Sequence, residues 1–363
     1  MKILKLSVYL FVTGLLFSCN EASNKSDANK EIKSDKEIKS DKEIKNDQEV
    51  TKVTPENYGL AESQIIFTNY VKRIAEATKT NGVGVFKHTK KPLDPKDRTV
   101  MRINFDTQYS FAVLDLTDDA TLIMPETNGR YQSAWLITEE HYNPMAFNKP
   151  GKHKITQKNT GSKYVMVVIR TQVNMQDSSD MAIVSNLQDQ LKLEQENTGS
   201  YVPSNVWSMD SILAMRKHYQ EVTVEKEITS DVMFGKKGEV SSENHNCGTA
   251  YGWGGLTPHQ AVYPAYMPEN TDPCTLTLKD VPVKAFWSIT IYDVDGYPQG
   301  EVYNINSSFA KTNQDGSVTI HFGGDNNADN LMDTFEGWNF VLRMYLPTKD
   351  YFDGEWVKPE LVY

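Results

Sequence analysis

Arg102, Asn104 and Asp106 stand at alternate positions and form the first group whose types and spacing suit binding chemistry. Residues two apart on a β-strand face the same side, so the pattern predicts one polar face near a strand end. An Asp–Arg pair there would orient a carboxylate or sugar ligand; alternatively, the Asp caps a turn while an Arg fixes a strand edge. The candidate ligand-binding residues of this first group are Arg102, Asn104, Asp106, Tyr109, Arg130 and Arg170.

A glycine-rich loop, Tyr251-Gly-Trp253-Gly-Gly255, is the second candidate. Glycines let a backbone turn tightly and approach a ligand closely, and the two aromatic rings offer faces on which a sugar would stack. The alternative is that glycine and tryptophan together close the end of a β-sandwich. The candidate ligand-binding residues of this second group are Tyr251, Trp253, Gln260, Tyr263, Trp287 and Asn306.

Most motifs of known chemistry are absent. The sequence has no Walker loop, no GxGxxG, no HExxH and no Gly-x-Ser-x-Gly elbow. The run 325–330 is rich in Asp and Asn but lacks the spacing, glycine and glutamate of an EF-hand. We therefore predict no cofactor and no metal. Catalytic residues stay unassigned, since a pair chosen from Asp106, Asp293, Asp295 and Glu301 would need a measured separation.

Helices and strands must position these residues, and each has its own spacing of apolar residues in the sequence. Apolar residues recur at helical spacing between Pro55 and Gly82 and again after Ser178 and Ser208, which predicts three helices. Alternating patterns predict strands over 100–105, 111–116, 121–124, 131–138 and 164–170, then over 263–267, 274–278, 285–292, 317–322 and 338–346. This order favours a mainly β, β-rich α+β fold with two antiparallel β-sandwich units and helices before and between them.

The N-terminus predicts export and lipidation. Lys2 and Lys5 precede an apolar stretch over 6–17, which is too short to span a membrane but suits a secretory signal. The stretch ends at Leu16-Phe17-Ser18-Cys19, which resembles a bacterial lipobox. Acylation of Cys19 would hold the protein to a membrane, since two or more chains make a stable anchor. We expect a cell-envelope location, at the outer membrane or facing the periplasm.

A charged tether follows, because residues 30–47 repeat a Lys-Glu-Ile hexad three times and a period of six forms no helical seam. The predicted organisation is a signal peptide over 1–18, a lipidated tether over 19–52, an N-terminal domain over 53–195, a helical bridge over 196–235 and a C-terminal domain over 236–363. The net charge of −10 argues against nucleic acid as a partner. Cys247 and Cys274 are left either as a disulfide or as two buried thiols.

Several phrases resemble a bacterial family built from two uncharacterised domains in tandem, the twelve fifty-four and twelve fourteen pair. The N-terminal phrases are Arg102 to Ser110, Asp115-Leu116, Asn128 to Tyr131, Val168 to Asn174 and Leu187 to Asp189. The C-terminal phrases are Gly252 to Pro258, Phe286 to Asp293, Asp315 to Ser317 and Gly337 to Tyr345. The resemblance implies two jelly-roll-like β-sandwich modules in one chain, often exported, and implies no reaction.

Three functions remain open at this point. The first is an exported module that binds a carbohydrate or small amphiphile in an aromatic-lined cleft. The second is an envelope hydrolase or lyase that acts on glycans or esters through acidic residues, and the third is a structural or assembly lipoprotein. A cleft with stacked aromatics favours the first, converging carboxyls favour the second, and an apolar patch without a pocket favours the third.

Overall fold

The computed structural model describes residues 49–98 and 101–363. The predicted signal peptide, Cys19 and residues 20–48 of the tether lie outside the described residues. No helix in the described part of the chain is both long enough and apolar enough to cross a bilayer.

The described residues form a mainly β fold with helices before and between the sheets. The helices are α1 (Tyr58–Thr78), α2 (Gln157–Thr160), α3 (Ser178–Asp189), α4 (Met209–Glu225), α5 (Ser242–Gly252) and α6 (Lys349–Phe352). The strands of the first half are β1 (Val50–Thr51), β2 (Lys87–His88), β3 (Thr107–Asp115), β4 (Ala120–Met124), β5 (Gln132–Thr138), β6 (Ala146–Phe147), β7 (Gly151–Ile155), β8 (Tyr164–Gln172), β9 (Lys192–Gln195) and β10 (Val206–Trp207). Those of the second half are β11 (Ala261–Val262), β12 (Ala265–Tyr266), β13 (Cys274–Leu278), β14 (Trp287–Tyr292), β15 (Asn304–Asn306), β16 (Val318–Phe322), β17 (Leu331–Met332) and β18 (Asn339–Tyr345).

Each half is a sandwich of a five-stranded and a three-stranded sheet. In the first half, β2-β3-β8-β5-β6 packs on β7-β4-β9. In the second half, β11 and β12 both pair with β18, which continues to β14 and β15, and this sheet packs on β13-β16-β17. The fold class predicted from the alternation is confirmed.

The two sandwiches repeat one strand arrangement. The pairs β4–β7, β5–β6 and β5–β8 of the first half correspond to β13–β16, β14–β15 and β14–β18 of the second. All six pairs are antiparallel. Even single hydrogen bonds match: the Gln172 N–H donates to the Tyr131 carbonyl and the Tyr345 N–H donates to the Phe286 carbonyl, each over 2.9 Å. The five-stranded sheets are therefore two versions of one scaffold.

A central apolar cluster joins the sandwiches and the helices. The five-stranded sheets bury one face inside their own sandwich and the other in this cluster, which explains why β3, β5, β8, β14 and β18 are buried at every position. Helices α1, α4 and α5 contribute Phe67, Ile212 and Ala250 to the same cluster. The seam between the sandwiches is therefore a protein interior.

Helix starts follow the predicted capping chemistry. Ser208 accepts a hydrogen bond from the Ser211 N–H at the start of α4. Asp177 caps α3 through the Ser179 and Asp180 N–H groups, one residue before the predicted cap at Ser178. Helix α5, whose N-cap is Ser241, is absent from the predicted elements because its residues carry almost no apolar periodicity.

Two boundaries differ from the sequence-based expectation. The described part of the predicted strand 100–105 is irregular, because Arg102 has a φ of 50° and its N–H donates to the Gly296 carbonyl over 2.7 Å. That conformation belongs to the left-handed region and ends any strand. The predicted tether ran to residue 52, whereas Val50–Thr51 pairs in parallel with Val206–Trp207, so ordered structure begins before residue 53.

Candidate functional site

A buried carboxylate lies at the centre of the seam between the sandwiches. Asp106 is 0% exposed and accepts hydrogen bonds from Ser288 Oγ (2.5 Å), Tyr345 OH (2.9 Å) and Asn304 Nδ2 (2.9 Å). The Asn104 side chain accepts from the Asp106 N–H and donates to the Tyr345 hydroxyl. Buried charges are tolerated when they are paired and hydrogen-bonded in this way. Asp106 therefore joins the two domains.

Arg102 belongs to the same seam and also has a structural role. Its Nη1 donates to Asn339 Oδ1 over 2.7 Å, and its carbonyl accepts from Arg343 Nη2 over 2.9 Å. Burial lowers the pKa of Arg102. Arg102, Asn104 and Asp106 thus come together as predicted, although a loop and not a strand brings them there. The predicted Asp106–arginine pair does not form, because hydroxyl and amide groups already donate to both carboxylate oxygens of Asp106.

The five-stranded sheet of the first domain carries a polar row on its central face. Strand register places Arg170 between Tyr109 and Ser133. The Arg170 guanidinium lies 4.6 Å from the Trp135 ring centre and 5.4 Å from that of Tyr109, so it is held by cation–π contacts. Among the described residues, its Nε and Nη1 atoms have no hydrogen-bond partner.

The second domain carries the equivalent row. Ser288 pairs with Arg343, and the register on both sides of Tyr263 places this tyrosine opposite the same arginine. Arg343 Nη1 donates to Thr290 Oγ1 over 2.7 Å. Thr290 occupies the place that Trp135 occupies in the first domain, two residues beyond the serine. A Tyr–Arg–Ser row therefore faces the seam from each side.

Arg343, Tyr345, Ser288 and Thr290 were missed by the sequence reasoning. Their signal is a period of two in the polar residues of β14 and β18, whose alternate positions Ile289, Leu342 and Met344 fill the sandwich core. When polar and apolar residues alternate in a strand that is buried on both faces, the polar residues form one interior face.

Arg130 forms the bidentate arginine–carboxylate pair that was expected at Asp106. Its guanidinium grips both oxygens of Asp180 and donates to the Gln172 carbonyl over 2.8 Å. Since Asp180 lies in the first turn of α3, the pair fixes that helix to the end of β8. Arg130 is thus already occupied by a protein partner.

The structure corrects the expectation of an open stacking face at Trp253. Its side chain is 0% exposed, its Nε1 donates to Ser63 Oγ over 2.9 Å, and the His141 ring stacks on it with centres 5.2 Å apart. A Cβ on Gly255 would come within 2.4 Å of the Phe234 ring, so this glycine permits close packing. The loop therefore packs Trp253 against α1 and His141 inside the central cluster.

The remaining candidates of the second group are spread over the molecule. Trp287 is buried in the core of the second sandwich, and Asn306 is buried and accepts from the Ser308 N–H. Tyr251 is half-buried on α5. Gln260 lines a separate cleft beside the first sandwich. These side chains do not form one aromatic site.

Two buried histidines stabilise the helical region beside Trp253. The Gly254 N–H donates to His141 Nε2, so the proton of this imidazole is on Nδ1, which donates to Thr249 Oγ1 over 2.8 Å. The second imidazole, His245, donates from Nε2 to the Glu140 carbonyl and stacks on Tyr142. Burial holds the pKa of His141 well below its usual value and lowers the pKa of His245 to about 4. Both rings are neutral at pH 7.

A cleft of about 580 Å³ lies between the first sandwich and residues 231–260, and we call it the bridge cleft. Trp135 and residues 143–146 form one wall, and Phe234, Leu256 and Gln260 belong to the other. Asn143 is 5% exposed, and neither atom of its amide has a partner among the described residues. Trp135 Nε1 and Gln260 Oε1 are likewise unpartnered. The wall of this cleft therefore holds unused hydrogen-bonding capacity.

Charged groups line the rim of the bridge cleft. Lys236 pairs with Glu239, and Asp231 and His259 line the same cleft. Asp231 is exposed at the rim, and partial burial of its carboxyl raises its pKa. Nothing in the sequence singled out Asn143 or Asp231, because they are isolated polar residues outside the predicted helices and strands.

A smaller cleft of about 330 Å³ lies at the seam, and we call it the seam cleft. The first domain contributes Gln132 and Lys149, and the second contributes Lys284 and Ser308.

Cys247 and Cys274 are buried free thiols. Within residues 49–98 and 101–363, no cluster of three or more His, Cys, Asp or Glu side chains could hold a metal ion.

Comparison with one solved structure supports the fold. The VPA0106 protein from Vibrio parahaemolyticus is 17% identical, with a TM-score of 0.60 over 84% of this chain and 99% of its own. An uncharacterised protein from Burkholderia cenocepacia is 11% identical, with a TM-score of 0.47 over 85% of this chain and 87% of its own. A comparison with functionally curated proteins found no significant match.

Two protein-family descriptions match the chain in tandem. "Protein of unknown function (DUF1254)" matches residues 83–195, and "Protein of unknown function (DUF1214)" matches residues 269–349. Together they account for more than half of the sequence, and each falls in one of the two sandwiches. The chain therefore belongs to the tandem DUF1254–DUF1214 family, which confirms the resemblance seen in the sequence.

Proposed function

We propose that this chain is an exported lipoprotein, anchored through acylated Cys19, whose bridge cleft binds a carbohydrate or small amphiphile. The observation that carries the binding proposal is Asn143, a buried amide whose donor and acceptor atoms both lack a partner among the described residues. Buried polar groups are nearly always hydrogen-bonded, so an unsatisfied amide in a cleft wall is a ligand-binding signal.

The composition of the cleft supports this ligand class. An amide side chain suits two adjacent hydroxyls of a sugar, because it offers a donor and an acceptor side by side. Trp135 Nε1 and Gln260 Oε1 supply one further group of each kind. Phe234, Leu256 and Met145 add apolar surface for a ring face or a short alkyl chain. A volume of about 580 Å³ is within the usual range for small-molecule sites.

The unpartnered atoms are covered by neighbouring protein atoms. A ligand would therefore reach them through a small rotation of side chains at the cleft wall. Rotations of this size are common when partners bind to otherwise preformed sites.

Asn143→Ala tests the binding proposal by calorimetry with methyl hexosides and a short-chain alkyl glucoside. We expect the parent protein to bind at least one probe saturably and Asn143→Ala to lose at least tenfold in affinity. The variant should keep or gain stability, because it removes buried groups that have no partner. Asn246→Ala is the matched control, a buried amide outside the cleft that donates to the Pro55 carbonyl. It should lose stability and keep binding. No saturable binding by the parent, or equal binding by Asn143→Ala, would refute the proposal.

A second candidate function is an envelope hydrolase or lyase. The observation that favours it is that Asp231, with its raised pKa, lines the same cleft as Glu239. Two carboxyls in one cleft can act as general acid and general base. Turnover of nitrophenyl glycosides or esters that disappears in Asp231→Asn would establish it, whereas unchanged turnover would exclude Asp231.

The anchor has its own test. Cys19→Ser removes the only thiol of the predicted lipobox. We expect the variant to leave the membrane fraction of the native host, while the parent stays with it. Membrane association of Cys19→Ser would contradict lipid anchoring and leave the binding proposal untouched.

A further inference from the structure

The seam cleft differs from the bridge cleft in charge. Lys149 and Lys284 line it from opposite domains, and neither has a carboxylate within 4 Å among the described residues. Arg130 also lines it but is neutralised by Asp180. Glu126 is the remaining charged group of the lining. The two unpaired lysines and Glu126 leave an excess of one positive charge.

This excess is informative because the protein as a whole is acidic. The sequence has 48 acidic and 38 basic residues. A concave surface with the opposite sign concentrates anions from solution, since low-dielectric walls focus the field of the lysines. Like charges that line one cleft also repel each other unless a negative charge lies between them.

Two amide side chains that line the seam cleft lack hydrogen-bond donors, which the lysines do not supply. Gln132 is 4% exposed, and its Nε2 donates to Thr171 Oγ1, so its Oε1 is left without a donor among the described residues. Asn148 Oδ1, from the same lining, is also unpartnered. Two unsatisfied amide oxygens require hydrogen-bond donors, and an anionic group alone provides none.

We propose that the seam cleft binds a small hydroxylated carboxylate, such as a hexuronate, between the two domains. The carboxylate lies between Lys149 and Lys284 and balances the one positive charge that Glu126 leaves over. After a small rotation of side chains at the cleft wall, hydroxyls donate to the covered oxygens of Gln132 and Asn148. A volume of about 330 Å³ suits a single sugar ring with its first-shell waters. The excess of one positive charge matches a monoanion better than a phosphate dianion.

Binding at this position ties the domains together. The Gln172 side chain, which lines the cleft, already donates to Ser308 Oγ across the boundary over 2.7 Å. A ligand held by one lysine from each domain adds a further link at this cleft. Since a ligand that binds only the folded state stabilises it, saturating hexuronate should raise the melting temperature.

The test uses the whole chain with galacturonate and glucuronate, each beside its neutral hexose, and with glucose 6-phosphate. We expect one saturable uronate site whose affinity falls with added salt, with at least tenfold weaker binding of the neutral sugars and of the phosphate. Lys149→Gln and Lys284→Gln should each weaken uronate binding about tenfold. Lys192→Gln, an exposed lysine on β9, is the matched control and should bind like the parent.

Three outcomes would overturn the seam site. They are no saturable uronate binding, uronate binding unchanged by both lysine substitutions, and phosphate binding tighter than uronate binding. Asn143→Ala separates the two clefts: loss of uronate binding in that variant would assign the anion to the bridge cleft and also count against the seam site. Failure of the bridge-cleft proposal leaves this expectation unchanged, because the two clefts have no lining residue in common.

Discussion

Each domain places an arginine at the same position of the same strand arrangement, but the two guanidinium groups have different neighbours. Arg343 donates to Thr290 Oγ1, the Tyr292 hydroxyl and the Arg102 carbonyl. Arg170 has aromatic rings for neighbours, and its Nε and Nη1 lack partners among the described residues. The register is shared, so the difference comes from the side chains that surround each guanidinium.

The residue two positions beyond the serine accounts for much of this difference. Thr290 supplies an acceptor, whereas Trp135 supplies an indole face and an N–H donor. The second domain therefore completes a polar network around Asp106, and the first leaves donors unused beside the bridge cleft. The repeated scaffold therefore differs between its halves: the second stabilises the seam through Asp106 and Arg343, and the first surrounds its arginine with aromatic rings.

The largest expected effect is from Asp106, the carboxylate at the centre of the seam network. Asp106→Ala leaves Ser288, Tyr345 and Asn304 without their buried acceptor. Removing one partner of a buried charged network costs about 3–5 kcal/mol, and we expect that loss in the free energy of unfolding in urea. The exposed Asp295→Asn should change stability by less than about 0.5 kcal/mol. Equal stability of both variants would show that the seam network is unimportant.

The second largest expected effect is a pH dependence of stability, which comes from the buried histidines and not from the two arginine rows. The pKa of His245 is lowered to about 4, so the unfolded state binds its proton first and stability falls as the pH drops from 6.5 to about 4. At roughly 1.4 kcal/mol per pKa unit, the loss is about 3 kcal/mol. Buried His141 shifts in the same direction and adds to it.

Substitution of His245 checks the assignment of this pH dependence. His245→Gln should flatten the profile of unfolding free energy between pH 6.5 and 4, whereas His218→Gln, on the exposed side of α4, should leave it unchanged. A profile that keeps its full slope in His245→Gln would place the titrating groups elsewhere.

The smallest effect is the difference between the two arginines themselves. Arg343→Met leaves three buried acceptors without their donor. Arg170→Met replaces cation–π contacts with apolar packing and removes a buried charge whose Nε and Nη1 have no partner among the described residues. We expect Arg343→Met to lose about 2 kcal/mol more than Arg170→Met, since a buried charge with few partners is replaced at little cost. Denaturation in urea measures both, and equal losses would refute the distinction between the rows.

Local patterns in the sequence predicted much of the architecture. The spacing between Pro55 and Gly82 indicated α1, Ser208 indicated the start of α4, and alternation indicated most of the strands. These features depend on contacts within a few residues, which local chemistry determines. Family phrases such as Phe286 to Asp293 also indicated the tandem arrangement, which is confirmed.

The candidate sites were less predictable. Arg102, Asn104 and Asp106 were grouped correctly, but their partners come from β14, β15 and β18, far away in the chain. Trp253 looked like a ligand platform and is buried. Asn143 and Lys284 carried no signal, because an isolated polar residue acquires meaning only from the atoms around it.

By itself, the sequence determined the β-rich class, the helix starts and the family, because alternation and capping act over short distances. Only the tertiary structure decided that Arg343 has three hydrogen-bonded partners whereas Arg170 lies between aromatic rings, and that unsatisfied amides line two separate clefts. Hydrogen bonds between distant strands depend on how whole sheets pack, and no local pattern encodes which donors remain without acceptors.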